Sequence, residues 1–298
     1  MASVTTNMDI NVLADITLAS LKVGLNPLSA WSTGFRTEAR LNDSAKVFVN
    51  SMTLDATDFD VATNNYEDEG DDTTIGIDVQ LTDKIKKTAG VDEEDYSKLD
   101  ISKKLQDLGY AVANEAVKRT YLKLTVANFG AAEVVGAASA FTFDDLIDQE
   151  VIADDAGLVE GERTCLLANT YTANLKKDNL LVATMNQERE PGQSWSMFEE
   201  IAGFDILKSS LYKSTATTIA ENGVGFYTDS SALGLAMGVP AYTGEGDVDV
   251  ATVMDESGVG LQLRRHYSRK DGKWYLNAIM LFGTEILRAD GLTLLASA

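Results

Sequence analysis

The sequence predicts an α+β fold, and three observations carry that reading. Apolar residues recur at helical intervals between Ser97 and Leu124, and they alternate with polar ones over Ile75 to Leu81 and again over Leu261 to Phe282. Within the last stretch, Asp271-Gly272 is a tight-turn pair of the kind that joins two antiparallel strands. One long helix and two paired-strand regions are therefore expected around a mixed middle section.

Taken in order, residues 1–40 are weakly patterned, because Gly24, Pro27 and Gly34 interrupt any long helix. They read as an extended arm with one short helix from Asp9 to Val23. Val47 and Val49 then begin one alternation, and Ile75, Ile77, Val79 and Leu81 complete a cleaner one, so two strands are implied. Between Val47 and Asp83 the chain carries ten carboxylates, among them Glu67, Asp68, Glu69, Asp71 and Asp72, and no Lys or Arg. A run of this kind buries little of its own and repels itself, so residues 41–83 are expected to project from the body.

Ser97 and Asp100 have capping-box spacing, and Leu105, Leu108, Val112 and Ala116 follow on one helical face. The predicted helix makes about seven turns at 3.6 residues each. The Gly- and Ala-rich stretch Asn128 to Ala140 reads as a connection. Thr142 and Asp145 open a second helix through Ile147, Val151 and Ile152 that closes near Gly157. Short signals at Thr164 to Ala168, Phe204 to Leu211 and Ser230 to Met237 suggest a compact mixed α/β unit. The C-terminal part is a long antiparallel hairpin about Asp271-Gly272, with a last strand near Leu292 to Leu295.

Composition narrows the function. A chain of 298 residues, 45% hydrophobic, can bury a real core as one large domain or two modest ones. Its 46 acidic residues against 25 basic ones give a formal charge of −21, which rules out a general attraction to nucleic acid. Cys165 is the only cysteine, so it is expected to be a buried small hydrophobe and no intrachain disulfide forms. Met1 to Ile10 lacks the basic and apolar regions of a secretory signal. The charge-free run Ser230 to Gly244 is too short to span a membrane and is broken by Gly234, Gly238 and Pro240, so no membrane partner is expected.

Catalytic signals are sparse. His266 is the only histidine and sits on a basic hairpin, a poor setting for a general base. Zinc spacings, phosphate-binding glycine loops and a nucleophile elbow are missing, so neither catalytic nor cofactor residues are expected. The acid runs Glu67-Asp68-Glu69 and Asp92-Glu93-Glu94-Asp95 lack the ordered ligand spacing of a calcium loop and read as solvated charge. Paired carboxylates for an acidic hydrolase arise by chance among 46 acids and so single out no residue. The cluster Arg264, Arg265, Arg269, Lys270 and Lys273 stands against the acidic background. It is either a solvated hairpin tip or a docking surface for an acidic segment of a neighbouring copy.

The order of these parts resembles the tailed-bacteriophage major capsid family, the Hong Kong 97-type fold, over nearly the whole chain. Three stretches carry the resemblance: Ser97 to Leu124, Ile201-Ala-Gly-Phe-Asp-Ile-Leu-Lys-Ser-Ser210, and Gly258 to Tyr267 leading into Asn277 to Arg288. They are similar in pattern to the family's spine helix, an axial-domain strand and the final peripheral-domain strands. The resemblance implies an N-terminal arm at 1–37 and an extended β-hairpin loop at 38–84 that overlaps the adjacent subunit. It implies a peripheral domain from 85–135 with 250–298, and an axial domain at 136–249. The expected function is a non-enzymatic shell subunit that forms hexamers and pentamers and encloses DNA without reading its sequence. A virion component assembled in the host cytoplasm, with a scaffolding protein, portal and decoration proteins as further partners, is what the resemblance implies. An encapsulin-like nanocompartment shell is the alternative with a related fold, and an acidic hydrolase is the alternative from another class.

Overall fold

The computed structural model describes residues 9–51, 73–92, 101–158, 161–178, 200–208, 222–242, 248–255 and 258–298. The chain opens with α1 (Ile10–Leu25), then β1 (Ser32–Ala39), β2 (Ser44–Ser51), β3 (Thr73–Gln80) and β4 (Asp83–Asp92). Next come α2 (Ile101–Tyr121), the short α3 (Val126–Phe129), β5 (Glu133–Val135), α4 (Phe143–Asp155), β6 (Thr164–Leu167) and α5 (Asn169–Leu175). The remainder is strand: β7 (Glu200–Ile201), β8 (Phe204–Lys208), β9 (Gly223–Thr228), β10 (Leu233–Pro240), β11 (Asp249–Met254), β12 (Gly260–Ser268), β13 (Lys273–Ile286) and β14 (Leu292–Ser297).

The expected first helix is present, and it is not part of an extended arm over its described length. Asp9 accepts from the Asn11 amide at 3.0 Å and so caps the helix start. Leu13, Ala14, Leu18 and Leu21 form a buried stripe within the main core, and β1 continues into a sheet. Apolar burial of that stripe outweighs the weak patterning that suggested a free arm. The long helix is α2, with Leu105, Leu108, Val112 and Ala116 all buried as their spacing predicts. It packs on α1 at Gly109, where a Cβ would stand 2.1 Å from Ser20 Oγ and 2.4 Å from the Thr17 carbonyl oxygen. Only glycine allows that approach.

Two six-stranded sheets organise the body. In the first the order is β1-β10-β13-β12-β11, with β4 pairing β13 from its other side. The helices α1 and α2 cover one face of this sheet, burying Leu261, Leu263, Leu276, Ala278 and Met280. The predicted C-terminal hairpin is β12 and β13, in register from Gln262↔Ile279 to Ser268↔Lys273. The second sheet runs β5-β14-β9-β6-β8-β7 and has its own core, which includes Phe141, Leu146, Cys165, Phe204 and Tyr227. Thr142 and Asp145 start α4 as expected, the Thr142 amide donating to Asp145 Oδ2 at 2.7 Å.

Three strands cross the boundaries drawn on the sequence. β5, within 85–135, and β14, within 250–298, lie in the second sheet, and β10, within 136–249, lies in the first. The β10 and β14 crossings meet at a polar joint: Arg288 Nη2 donates to Asp229 Oδ2 at 2.7 Å, and Asp229 Oδ1 accepts from the Ser231 amide. Asp229 is 4% exposed on its side chain, so the bidentate use of its carboxylate satisfies a charge that would otherwise be costly.

Candidate assembly surface

The expected pair of strands is present as the ladder β2–β3, running from Ser44↔Gln80 to Ser51↔Thr73. Its base is fixed to its own body and does not stand free. Ala45, Val47, Val79 and Leu81 are buried against Ala39, Ala236 and Leu281, on the sheet face opposite the helices. These apolar side chains alternate along β2 and β3, so the period of two that predicted the strands also seats them. The acidic residues Glu67, Asp68, Glu69, Asp71 and Asp72 lie outside the described residues.

The basic hairpin does not form one patch. Arg264 and Arg265 are neighbours in β12, and adjacent side chains of a strand face opposite sides of the sheet. Arg265 lies with Leu261 and Leu263 on the helix-covered face. Its side chain is 13% exposed, donates to Asp249 Oδ2 at 2.7 Å and lies over the Trp274 ring. Arg264 faces the other way, over the Tyr242 ring with its Nε donating to Gln262 Oε1 at 2.7 Å. Arg269 and Lys270 are exposed at the turn, and Lys273 pairs with Asp92 at 3.1 Å, which raises the ammonium pKa above its usual range. His266 stacks on Tyr275 on the Arg264 face, with no acidic partner among the described residues to orient it.

The other concentration of cations along the sequence, Lys84 to Lys87, is the second candidate docking surface for the acidic segment. A cavity of about 510 Å³ lies between β4 and α2, lined by residues 84–87 of the strand and by Asn114, Glu115, Lys118 and Arg119 of the helix. Its floor is apolar, from Ile85, Ala111 and Val112. Arg119 is committed to Asp83 at 2.5 Å and to Glu115 at 3.1 Å. Lys84, Lys86, Lys87 and Lys118 have no acidic partner among the described residues, and all four are exposed. The Lys-Ile-Lys-Lys run marks the strand's share of this surface in the sequence, whereas Lys118 carries no local signal and is brought there only by the packing of α2 on β4.

Among the described residues no three His, Cys, Asp or Glu side chains gather into a metal site, and no helix is long and apolar enough to cross a membrane. Cys165 is buried, and desolvation pushes its thiol up to about 12.

No family model matches the chain, and no curated protein matches it. Solved structures do. The capsid structure of the cyanophage P-SCSP1u superposes with a TM-score of 0.52 at 14% identity, covering 90% of this chain and 86% of that one. A virus-like particle from Pyrococcus furiosus gives 0.53 at 12% identity, with 95% and 97% covered. The capsid of an empty GTA particle gives 0.52 at 14% identity, with 92% and 90% covered. At these identities the likeness establishes the fold, and the chain has the Hong Kong 97-type capsid architecture.

Proposed function

We propose that this chain, built on the Hong Kong 97-type fold, is the major capsid protein of a tailed bacteriophage, closing into an icosahedral head around double-stranded DNA. One observation carries the reading: capsid and virus-like-particle subunits align with it over at least 86% of either chain. The net charge of −21 suits a container whose wall must not hold its packaged polyanion. The role is structural and needs no cofactor. Pentamers and hexamers of the chain are the working assemblies, because a closed shell repeats a few heterologous contacts through symmetry.

Within that reading residues 38–84 form the loop that overlaps the adjacent subunit. Residues 85–135 with 250–298, joined by β10, supply the peripheral part, and the rest of 136–249, joined by β5 and β14, the axial part whose tips meet at five-fold and six-fold positions. Residues 1–37 take the place of the arm. A scaffolding protein, a portal and decoration proteins are the further partners, and the particle is a virion assembled in the host cytoplasm. A protein nanocompartment shell is the second reading, because the fold is shared with a virus-like particle, a shell that is not itself called a virus.

Electron cryomicroscopy of particles formed by the purified chain tests the proposal. Closed shells built of pentamers and hexamers, filled with DNA when isolated from a producing host, are the expected result. Shells that enclose protein cargo and no nucleic acid would favour the nanocompartment, and a chain that never assembles would overturn both.

A further inference from the structure

Between Lys123 and Asp144 twenty residues carry a single charge, Glu133, although 24% of the whole sequence is Asp, Glu, Lys or Arg. A charge-poor run is ordinarily explained by burial, because charged side chains are kept out of a core. Here that explanation fails. Val134 is 69% exposed, the most of any large apolar side chain among the described residues, and Leu122 and Val126 are 51% and 46% exposed. Ala127, Ala131, Ala137 and Ala140 are exposed as well. The stretch is an uncharged, apolar surface on a chain whose formal charge is −21.

The segment is held from behind, so its outward side chains are fixed outward. Phe129 and Ala132 pack against the main core, and Val135 belongs to the core of the second sheet. Gly130, at φ 84°, ends α3, and its amide donates to the Val126 carbonyl oxygen at 2.9 Å. β5 then pairs with β14 through Val134↔Ala296 and Val135↔Ser297. Adjacent side chains of a strand face opposite sides. Val134 is therefore turned away from the core that takes Val135, and the one charge of the stretch, Glu133, is turned away from the face that carries Val134.

The lack of charge selects the occupant. A basic partner is drawn to the carboxylates that dominate the chain and gains nothing from a neutral apolar surface. Nucleic acid and anionic membranes need cations, and residues 124–143 supply none. Two copies of this chain, each at −21, repel wherever their charged surfaces face each other, and they meet at low cost only through a surface without charge. We infer that the surface carrying Leu122, Val126 and Val134 is buried against a second copy of the chain in the assembled shell. The inference rests on the shell reading above and names an apolar contact in which burial supplies the affinity.

Charge placed on that surface, with either sign, tests it. Val126→Glu together with Val134→Glu alters exposed side chains, so circular dichroism and the urea midpoint of the monomer stay close to those of the unaltered chain. Particle yield falls about tenfold or more, because two unpaired charges are carried into an apolar contact. Val126→Lys together with Val134→Lys lowers the yield as far, added salt restores neither, and Val134→Ile keeps it. A thiol probe reads the surface directly. Val134→Cys adds one accessible thiol to a chain whose own Cys165 is buried, and a small alkylating reagent labels it in the dissociated chain about tenfold or more faster than in particles. Full yield from the glutamate pair, loss with glutamate but not with lysine, or equally rapid labelling in particles overturns the inference while leaving the shell reading intact. Failure of the unaltered chain to form particles overturns both.

Discussion

Gly283 lies beneath the carbonyl oxygen of Gln80, so close that a Cβ on Gly283 would stand 1.9 Å from that oxygen. The contact joins β13, at the centre of the first sheet, to the base of the β2–β3 ladder, where Leu81 enters the core fully buried. Backbone is the obstacle, and no rotamer change relieves it. Gly283→Ala is expected to lift the hairpin base and to lower stability by about 1–3 kcal/mol, the usual cost of overpacking. Urea unfolding reads the shift, and an unchanged midpoint would mean that the hairpin is not seated there.

Leu108 on α2 is 2% exposed, within the core that α1 and the first sheet share. Leu108→Asp buries a carboxylate with no partner, which costs more than the whole stability of an ordinary domain leaves to spare. The chain is expected to be insoluble on expression. Normal soluble yield with native circular dichroism would count against the packing described.

The two neighbouring arginines of β12 should separate folding from assembly. Arg265→Glu opposes Asp249 across the ladder and removes the cation from Trp274, so the monomer itself loses about 1 kcal/mol. Arg264→Glu lies on the opposite face, where it gives up the Tyr242 ring and the bond to Gln262 Oε1 and so lowers the unfolding midpoint somewhat, but its larger effect is a salt-dependent weakening of particle formation if that face contacts a neighbour. Sedimentation and urea melts on both variants make the comparison, and equal effects in both assays would contradict the split.

Cys165 gives a pH dependence with a definite sign. Burial favours the neutral thiol, so its pKa in the folded chain, about 12, exceeds the ordinary value of 9.0. The folded state therefore holds its proton where the unfolded state releases it. This contribution is fully present below about pH 9 and is lost as pH rises toward 12, by up to about 1.4 kcal/mol per pH unit. Burial of Tyr227 acts in the same direction. Cys165→Ala should flatten part of the alkaline decline in the urea midpoint, and the native thiol should resist alkylation at pH 8. Rapid native alkylation would contradict its burial.

How much of this was legible in the sequence depended on whether the signal was local. The 3.6-residue spacing of Leu105, Leu108, Val112 and Ala116 marked α2, and Asp271-Gly272 marked the hairpin, because each depends on residues close in the chain. β1 escaped notice because its pairing with β10 joins residues about two hundred positions apart and only Phe35 and Ala39 are apolar along it. β4 was obscured by its lysines, which interrupt the alternation of Ile85, Ala89 and Val91 while serving its exposed edge. The basic cluster at Arg264 to Lys273 looked like one surface because its members are close in sequence. A strand turns alternate side chains to opposite faces, and Asp249 and Asp92, which occupy two of those cations, come from other strands. Both partners are remote in sequence.

Sedimentation velocity of the purified full-length chain tests the central claim most directly. A shell protein is expected to sediment as a narrow boundary of very large, closed particles, in equilibrium with monomer or capsomers and shifted by ionic strength. A single boundary of a monomer or small oligomer across all salt and protein concentrations, with native circular dichroism, would contradict it.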